Sequence, residues 1–97
     1  MVAYIVASIE VTDPTRFERY RSEVPAIVAQ FGGRYLMRAN EPEIAEGTRF
    51  FARLTVIEFP SMDAARTFLD SPNYAPLRRL RIETTKSDVA LIPSYIS

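Results

Sequence analysis

The chain repeats one local pattern twice: a strand ending in Ile-Glu-apolar, a capped helix start, and a helix with a phenylalanine on its inner side. Ile9-Glu10-Val11 leads through Asp13 and Pro14 to Phe17, and Ile57-Glu58-Phe59 leads through Ser61 and Met62 to Phe68. A strand hands on to a helix that must bury its apolar stripe against the same sheet, so each unit supplies half of a two-layer domain. With 97 residues there is room for one core, and residues 1–97 are expected to form a single domain.

The elements follow from spacing. In Val2 to Val11 a wholly apolar set (Ala3, Ile5, Ala7, Ile9, Val11) alternates with a mixed set (Tyr4, Val6, Ser8, Glu10), the period of a strand. Asp13 can cap the next helix and Pro14 suits its first turn. Phe17, Tyr20, Val24, Ile27, Val28 and Phe31 recur at three and four residues, one helical stripe, and Pro25 predicts a kink or break inside it. Gly32-Gly33 supplies the left-handed stop. A second strand is predicted over Arg34 to Asn40, an acidic loop over Glu41 to Gly47, and a third strand over Phe50 to Phe59. Ser61 caps a second helix that buries Ala64, Ala65, Phe68 and Leu69. Asp70-Ser71-Pro72-Asn73 interrupts it, and a further helical piece over Ala75 to Thr84 buries Leu77 and Leu80. Asp88 to Ser94 reads as the closing strand, with Pro93 fit for an edge or terminus.

This order predicts an α+β fold, a ferredoxin-like βαββαβ sandwich with a four-stranded antiparallel sheet. Right-handed crossovers put the first and third strands side by side in its centre, as a parallel pair. Two helices cover one sheet face. Val6, Leu36 and Val56 point to the other, an apolar patch too large to leave in water, which predicts a homodimer paired sheet to sheet.

The composition narrows the chemistry. There is no Cys, His or Trp. A zinc site of the usual kind, a haem-binding histidine, a thiolate nucleophile and a Ser-His-Asp triad are excluded, and no cofactor or metal is expected. Twelve basic residues balance twelve acidic ones, which argues against nucleic acid. No apolar run is long enough to span a bilayer, and the apolar start lacks a basic leader, so the cytoplasm is the expected location. The paired glycines follow a helix rather than precede one, so there is no phosphate loop and no support for flavin or nicotinamide.

Four segments, Ile9-Glu10-Val11-Thr12-Asp13-Pro14, Gly32-Gly33-Arg34-Tyr35-Leu36-Met37-Arg38, Ile57-Glu58-Phe59-Pro60-Ser61-Met62 and Asp70-Ser71-Pro72-Asn73-Tyr74, occur in the order seen in the Domain of Unknown Function 1330 family, which the chain resembles over nearly its whole length. The resemblance implies a dimeric α+β barrel. That superfamily also holds cofactor-independent monooxygenases, haem-degrading enzymes and small effector-binding domains. It implies no established activity and carries over no catalytic residue, and the absence of histidine departs from the haem-handling branch.

The residues themselves suggest a site. If the two repeats align, Glu10 and Glu58 lie on one face near one end of the sheet, with Arg34 beside Glu58. The two carboxylates would then form an acid/base pair with split pKa values, or simply a strand-end ion pair. By the period of two, Arg38 shares the face of Arg34 and Leu36, where it would fork onto a ligand anion or make a dimer salt bridge. Tyr4 and Ser8 add a phenol and a hydroxyl to that face, as packing or as ligand contacts. Tyr74 either leans over a cavity mouth or plugs the helix break. Arg78, Arg79 and Arg81 read as a solvated helix face. Three functions remain open: a metal-free enzyme acting on a small anionic organic substrate at the dimer interface (Glu58 or Glu10 as general acid/base; Arg38 and Arg34 as anion holders), a non-catalytic small-ligand-binding or sensing module using the same pocket, and a purely structural dimer.

Overall fold

The computed structural model describes residues 1–39, 42–48 and 52–94. The chain runs β1 (Ala3–Val11), α1 (Pro14–Gln30), β2 (Arg34–Ala39), β3 (Arg53–Phe59), α2 (Met62–Asp70), α3 (Ala75–Thr84) and β4 (Thr85–Pro93). The expected start of the third strand at Phe50 and Phe51, and the expected end of the second at Asn40, lie outside the described residues.

The helix boundaries have local causes. The Asp13 carboxylate accepts from the Arg16 backbone N–H at 3.2 Å and Ser61 Oγ accepts from Ala64 N–H at 3.0 Å, each satisfying a first-turn donor. At the far end of α1, Gly32 takes φ +79°, and the N–H groups of Gly32 and Gly33 donate to the carbonyls of Ala29 and Val28 at 3.1 and 3.0 Å. A Cβ on Gly33 would stand 2.7 Å from both the Phe59 ring and Val28, so this position also has no room for a side chain. Of the kink or break predicted at Pro25, the break does not occur: one helix runs through it from Pro14 to Gln30. Its stripe of Phe17, Tyr20, Val24 and Val28 is buried, and that packing outweighs one missing N–H donor.

The four strands form one sheet in the order β2-β3-β1-β4, every neighbouring pair antiparallel. The strand order is the expected one, but β1 and β3 do not run the same way: Tyr4 faces Glu58 and Ile9 faces Arg53. In a split βαβ unit the inserted strand runs against both partners, so the parallel pairs are the strands separated by one neighbour rather than adjacent ones.

Three helices cover one sheet face. Ala3, Ile5, Ala7 and Ile9 of β1 and Ile57 and Phe59 of β3 are buried beneath Phe17, Tyr20, Val24, Val28, Phe68 and Leu77. Helix α3 passes into β4 without a loop. There the Thr12 and Asp13 N–H groups donate to the Thr84 carbonyl at 2.8 and 3.1 Å, tying the β1–α1 turn to the α3–β4 junction. β4 begins at Thr85, three residues before the expected start, because this corner supplies backbone partners so early.

Candidate functional site

The face assignments of individual side chains decide the site. β2 carries a register shift between Tyr35 and Met37: Tyr35 faces Ile57, Met37 faces Val56, and Leu36 is the extra residue. Such a bulge reverses which face later residues take. Arg34, before it, stays on the open face opposite Glu58, and Arg38, after it, pairs with Thr55 on the helix-covered face. The expected grouping of Arg34, Leu36 and Arg38 on one face is therefore corrected.

Under the helices lies a cavity of about 160 Å³. Its apolar wall includes Ile5, Ile9, Val24, Ile57 and Val89, and five aromatic rings line it: Phe17, Tyr20, Tyr35, Phe68 and Tyr74. The rings pack on one another, with centroids 5.3 Å apart for Phe17–Tyr20, 6.3 Å for Tyr20–Tyr74 and 4.4 Å for Phe68–Tyr74. Four arginines, Arg21, Arg38, Arg53 and Arg81, complete the lining, and no carboxylate is among the described lining residues.

The arginines differ. Arg21 is exposed and paired with Glu18 at 3.0 Å. Arg38 lies over the Tyr35 ring with its guanidinium carbon 3.7 Å from the centroid, a cation–π stack at the rim. Arg53 faces Phe17 at 5.6 Å. Arg81 is 6% exposed; its Nη1 donates to Ser87 Oγ at 2.5 Å, and its Nε has no acceptor. A buried donor without an acceptor costs roughly 1–3 kcal/mol.

Arg81 was expected on a solvated face. It stands four residues after Leu77 and three before Thr84, and all three are buried, so the helical period carried the signal. Its guanidinium sits where the α3–β4 corner turns, with the Thr85 hydroxyl donating to its carbonyl at 2.6 Å.

Two of the lining tyrosines, Tyr20 and Tyr35, are held protonated. Tyr20 and Tyr74 hydroxyls lie 2.9 Å apart. Burial pushes the Tyr20 phenol far above its ordinary range, the neighbouring Tyr74 adds to this, and the Arg81 charge opposes it. Burial also raises Tyr35, against the pull of Arg38. Tyr74 is 2% exposed: Ser71 Oγ accepts from the N–H groups of Asn73 and Tyr74 at 3.0 and 3.4 Å, and this turn swings the ring inward.

The remaining predicted residues lie on the open face. Arg34 Nε donates to Glu58 at 3.1 Å, as the strand-end reading expected, with Arg34 71% exposed. Glu10 does not join them. Because β1 and β3 are antiparallel and Glu58 faces Tyr4, Glu10 lies six residues further along β1, opposite Lys86, a separation of about 20 Å at roughly 3.3 Å per residue. Ser8 and Glu10 instead border a shallow depression with Lys86 and Asp88. Thus only Arg38 and Tyr74 of the predicted set reach the cavity, while Tyr4, Ser8, Glu10, Arg34 and Glu58 do not. Among the described residues no cluster of His, Cys, Asp or Glu could hold a metal ion, and no helix is long and apolar enough to cross a membrane.

Residues 2–95 match the family described as Domain of unknown function (DUF1330). The chain belongs to that family. Among curated proteins it has no match. Solved structures similar to this DUF1330 chain include a protein of unknown function from Rhodopseudomonas palustris (TM-score 0.79, 11% identity, covering 99% of this chain and 84% of that one) and a dimeric ferredoxin-like protein of unknown function from Jannaschia sp. CCS1 (TM-score 0.78, 8% identity, 97% and 100%). A third, SnoaB from Streptomyces nogalater, is a cofactor-independent oxygenase (TM-score 0.66, 18% identity, 99% and 94%). At these identities the likeness establishes the ferredoxin-like fold of this DUF1330 chain, not its activity.

Proposed function

We propose that this protein is a small-molecule-binding domain that takes an organic anion into the cavity between its sheet and helices. The observation that carries the reading is the pairing of an apolar, ring-lined cavity with arginines and no lining carboxylate among the described residues. Exposed arginines at the rim raise the local concentration of anions, and a low-dielectric interior strengthens their hold. Binding is favoured over turnover by the protein's own groups. The lining phenols Tyr20 and Tyr35 are pushed toward their neutral forms, and Glu10 and Glu58 lie on the open face, so among the described residues no carboxylate lines the cavity as general base.

The proposal includes a homodimer. Val6 faces Val56 on the open face, beside the exposed Met37 and Ile92, and covering this patch would complete the burial that one small domain leaves unfinished. The Jannaschia neighbour is itself described as dimeric. Light scattering is expected to give twice the chain mass, and Val56→Asp the mass of one chain with the helix content retained; a monomer in the unmodified protein removes the dimer.

The cavity reading is tested by thermal unfolding with a panel of small carboxylates and their neutral amides. Carboxylates are expected to raise the midpoint in proportion to the logarithm of concentration above Kd, and amides to leave it unmoved. Equal shifts from both, or none, overturn it.

A further inference from the structure

We propose that the ligand is a single-ring aromatic monoacid anchored on Arg81, a reading that rests on the cavity as the binding site and names its substrate class. Three observations converge on it.

The first is size and shape. A cavity of about 160 Å³ matches the scale, about 150 Å³, at which an apolar cavity accepts one benzene ring. Its wall is a set of packed aromatic faces, which hold a flat ring by offset or edge contact better than they hold a flexible chain.

The second is the inner wall's demand for an acceptor. Arg81 is buried, its Nε is without a partner, and its Nη1 donates to the neutral Ser87 hydroxyl. In the Tyr20–Tyr74 pair either oxygen can donate, but only one proton bridges the two. The other phenolic proton has no acceptor among the described residues. Arg81 is close enough to Tyr20 for its charge to act on that phenol. This wall therefore offers N–H and O–H donors and a positive charge in need of an oxyanion, and a carboxylate supplies both acceptor and counter-charge.

The third is the count of charges. The rim arginines have other attachments: Arg21 holds Glu18 and Arg38 stacks on Tyr35. Among the described residues Arg81 alone is a deeply buried guanidinium, so the ligand carries one anionic group inward and presents its ring to the aromatic wall. A phosphate or a dicarboxylate would bring a second charge to an inner wall where, among the described residues, Arg81 is the one buried guanidinium, and that second charge carries its own desolvation cost.

The experiment measures affinity by calorimetry for benzoate, for acetate and inorganic phosphate, and for 2-naphthoate, against the unmodified protein, Arg81→Met and Arg81→Lys. Benzoate is expected to bind most tightly, and two fused rings to be excluded. Arg81→Met, with unchanged circular dichroism, should lose benzoate binding; Arg81→Lys, which keeps the charge without the fork, should weaken it about tenfold. If acetate or phosphate binds as tightly as benzoate, the ring-acid class is overturned while the anion cavity stands. If Arg81→Met folds and still binds benzoate, Arg81 is not the anchor. If no carboxylate binds at all, the cavity reading falls with it.

Discussion

The two faces of the sheet are built from the same four strands, yet they have become different kinds of surface. On the helix side, alternate residues of β1 and β3 are closed under α1, α2 and α3, and the space left between them is walled by rings and arginines. On the open side, Tyr4, Val6, Leu54 and Val56 are half-buried, Met37 and Ile92 are exposed, and the charged groups pair at the ends of strands. A helix layer can arch over a sheet and leave an enclosed volume. A bare sheet face can only be covered by something flat. The bulge at Leu36 shows how little separates the two: one extra residue carries Arg38 from the flat face to the cavity face while Arg34 stays behind.

The contrast can be broken most forcefully from the helix side. Phe68 is 2% exposed and contacts the Phe31, Phe59 and Tyr74 rings, so Phe68→Ala is expected to cost about 3–5 kcal/mol in denaturant unfolding. Ile92→Ala on the open face, at a residue 43% exposed, should cost much less in the separated chain; equal costs would mean that the two faces are not energetically distinct.

Tyr20→Phe gives an intermediate effect. It removes one buried hydrogen bond, worth about 1 kcal/mol. It also changes the response to alkali. The folded phenol titrates above its unfolded value, so its stabilisation is fully present below about pH 10 and is lost as pH rises beyond, by roughly 1.4 kcal/mol per unit while only the unfolded chain ionises. Chemical denaturation between pH 9 and 11 should show a shallower decline in Tyr20→Phe; an unchanged slope would place the hydroxyl in water.

The smallest effect is expected from Arg34→Ala. Its pair with Glu58 is solvent-facing on the arginine side, and such a pair is worth at most about 1 kcal/mol. A loss of ligand affinity in this variant would shift the site toward the open face and reverse the comparison.

Much of the fold was legible because its signals are local. The alternation in β1, the Asp13 and Ser61 caps, the Gly32-Gly33 stop and the Ser71-Pro72-Asn73 break each act within a few residues. The order of elements then restricts topology through connection rules. The site was less legible. Arg38 was placed by a strict period of two, which fails at a bulge that Leu36-Met37 does not announce with glycine or proline. Glu10 was grouped with Glu58 from a repeat in sequence, but equivalent positions on antiparallel neighbours fall at opposite ends. Arg81 was readable in principle, being in step with Leu77, and was passed over because a charged residue among other arginines resembles a solvated face.

By itself, then, the sequence determined the strands, the helices, their caps and the exclusion of thiol and imidazole chemistry, since these depend on residue type and near neighbours. Only the tertiary structure decided which charges meet. Strand direction, one bulge and the tight α3–β4 corner set the positions of Arg38, Arg81 and Glu10 over distances much longer than the period of any element. The result is a cavity with buried positive charge in a chain whose twelve basic and twelve acidic residues sum to zero.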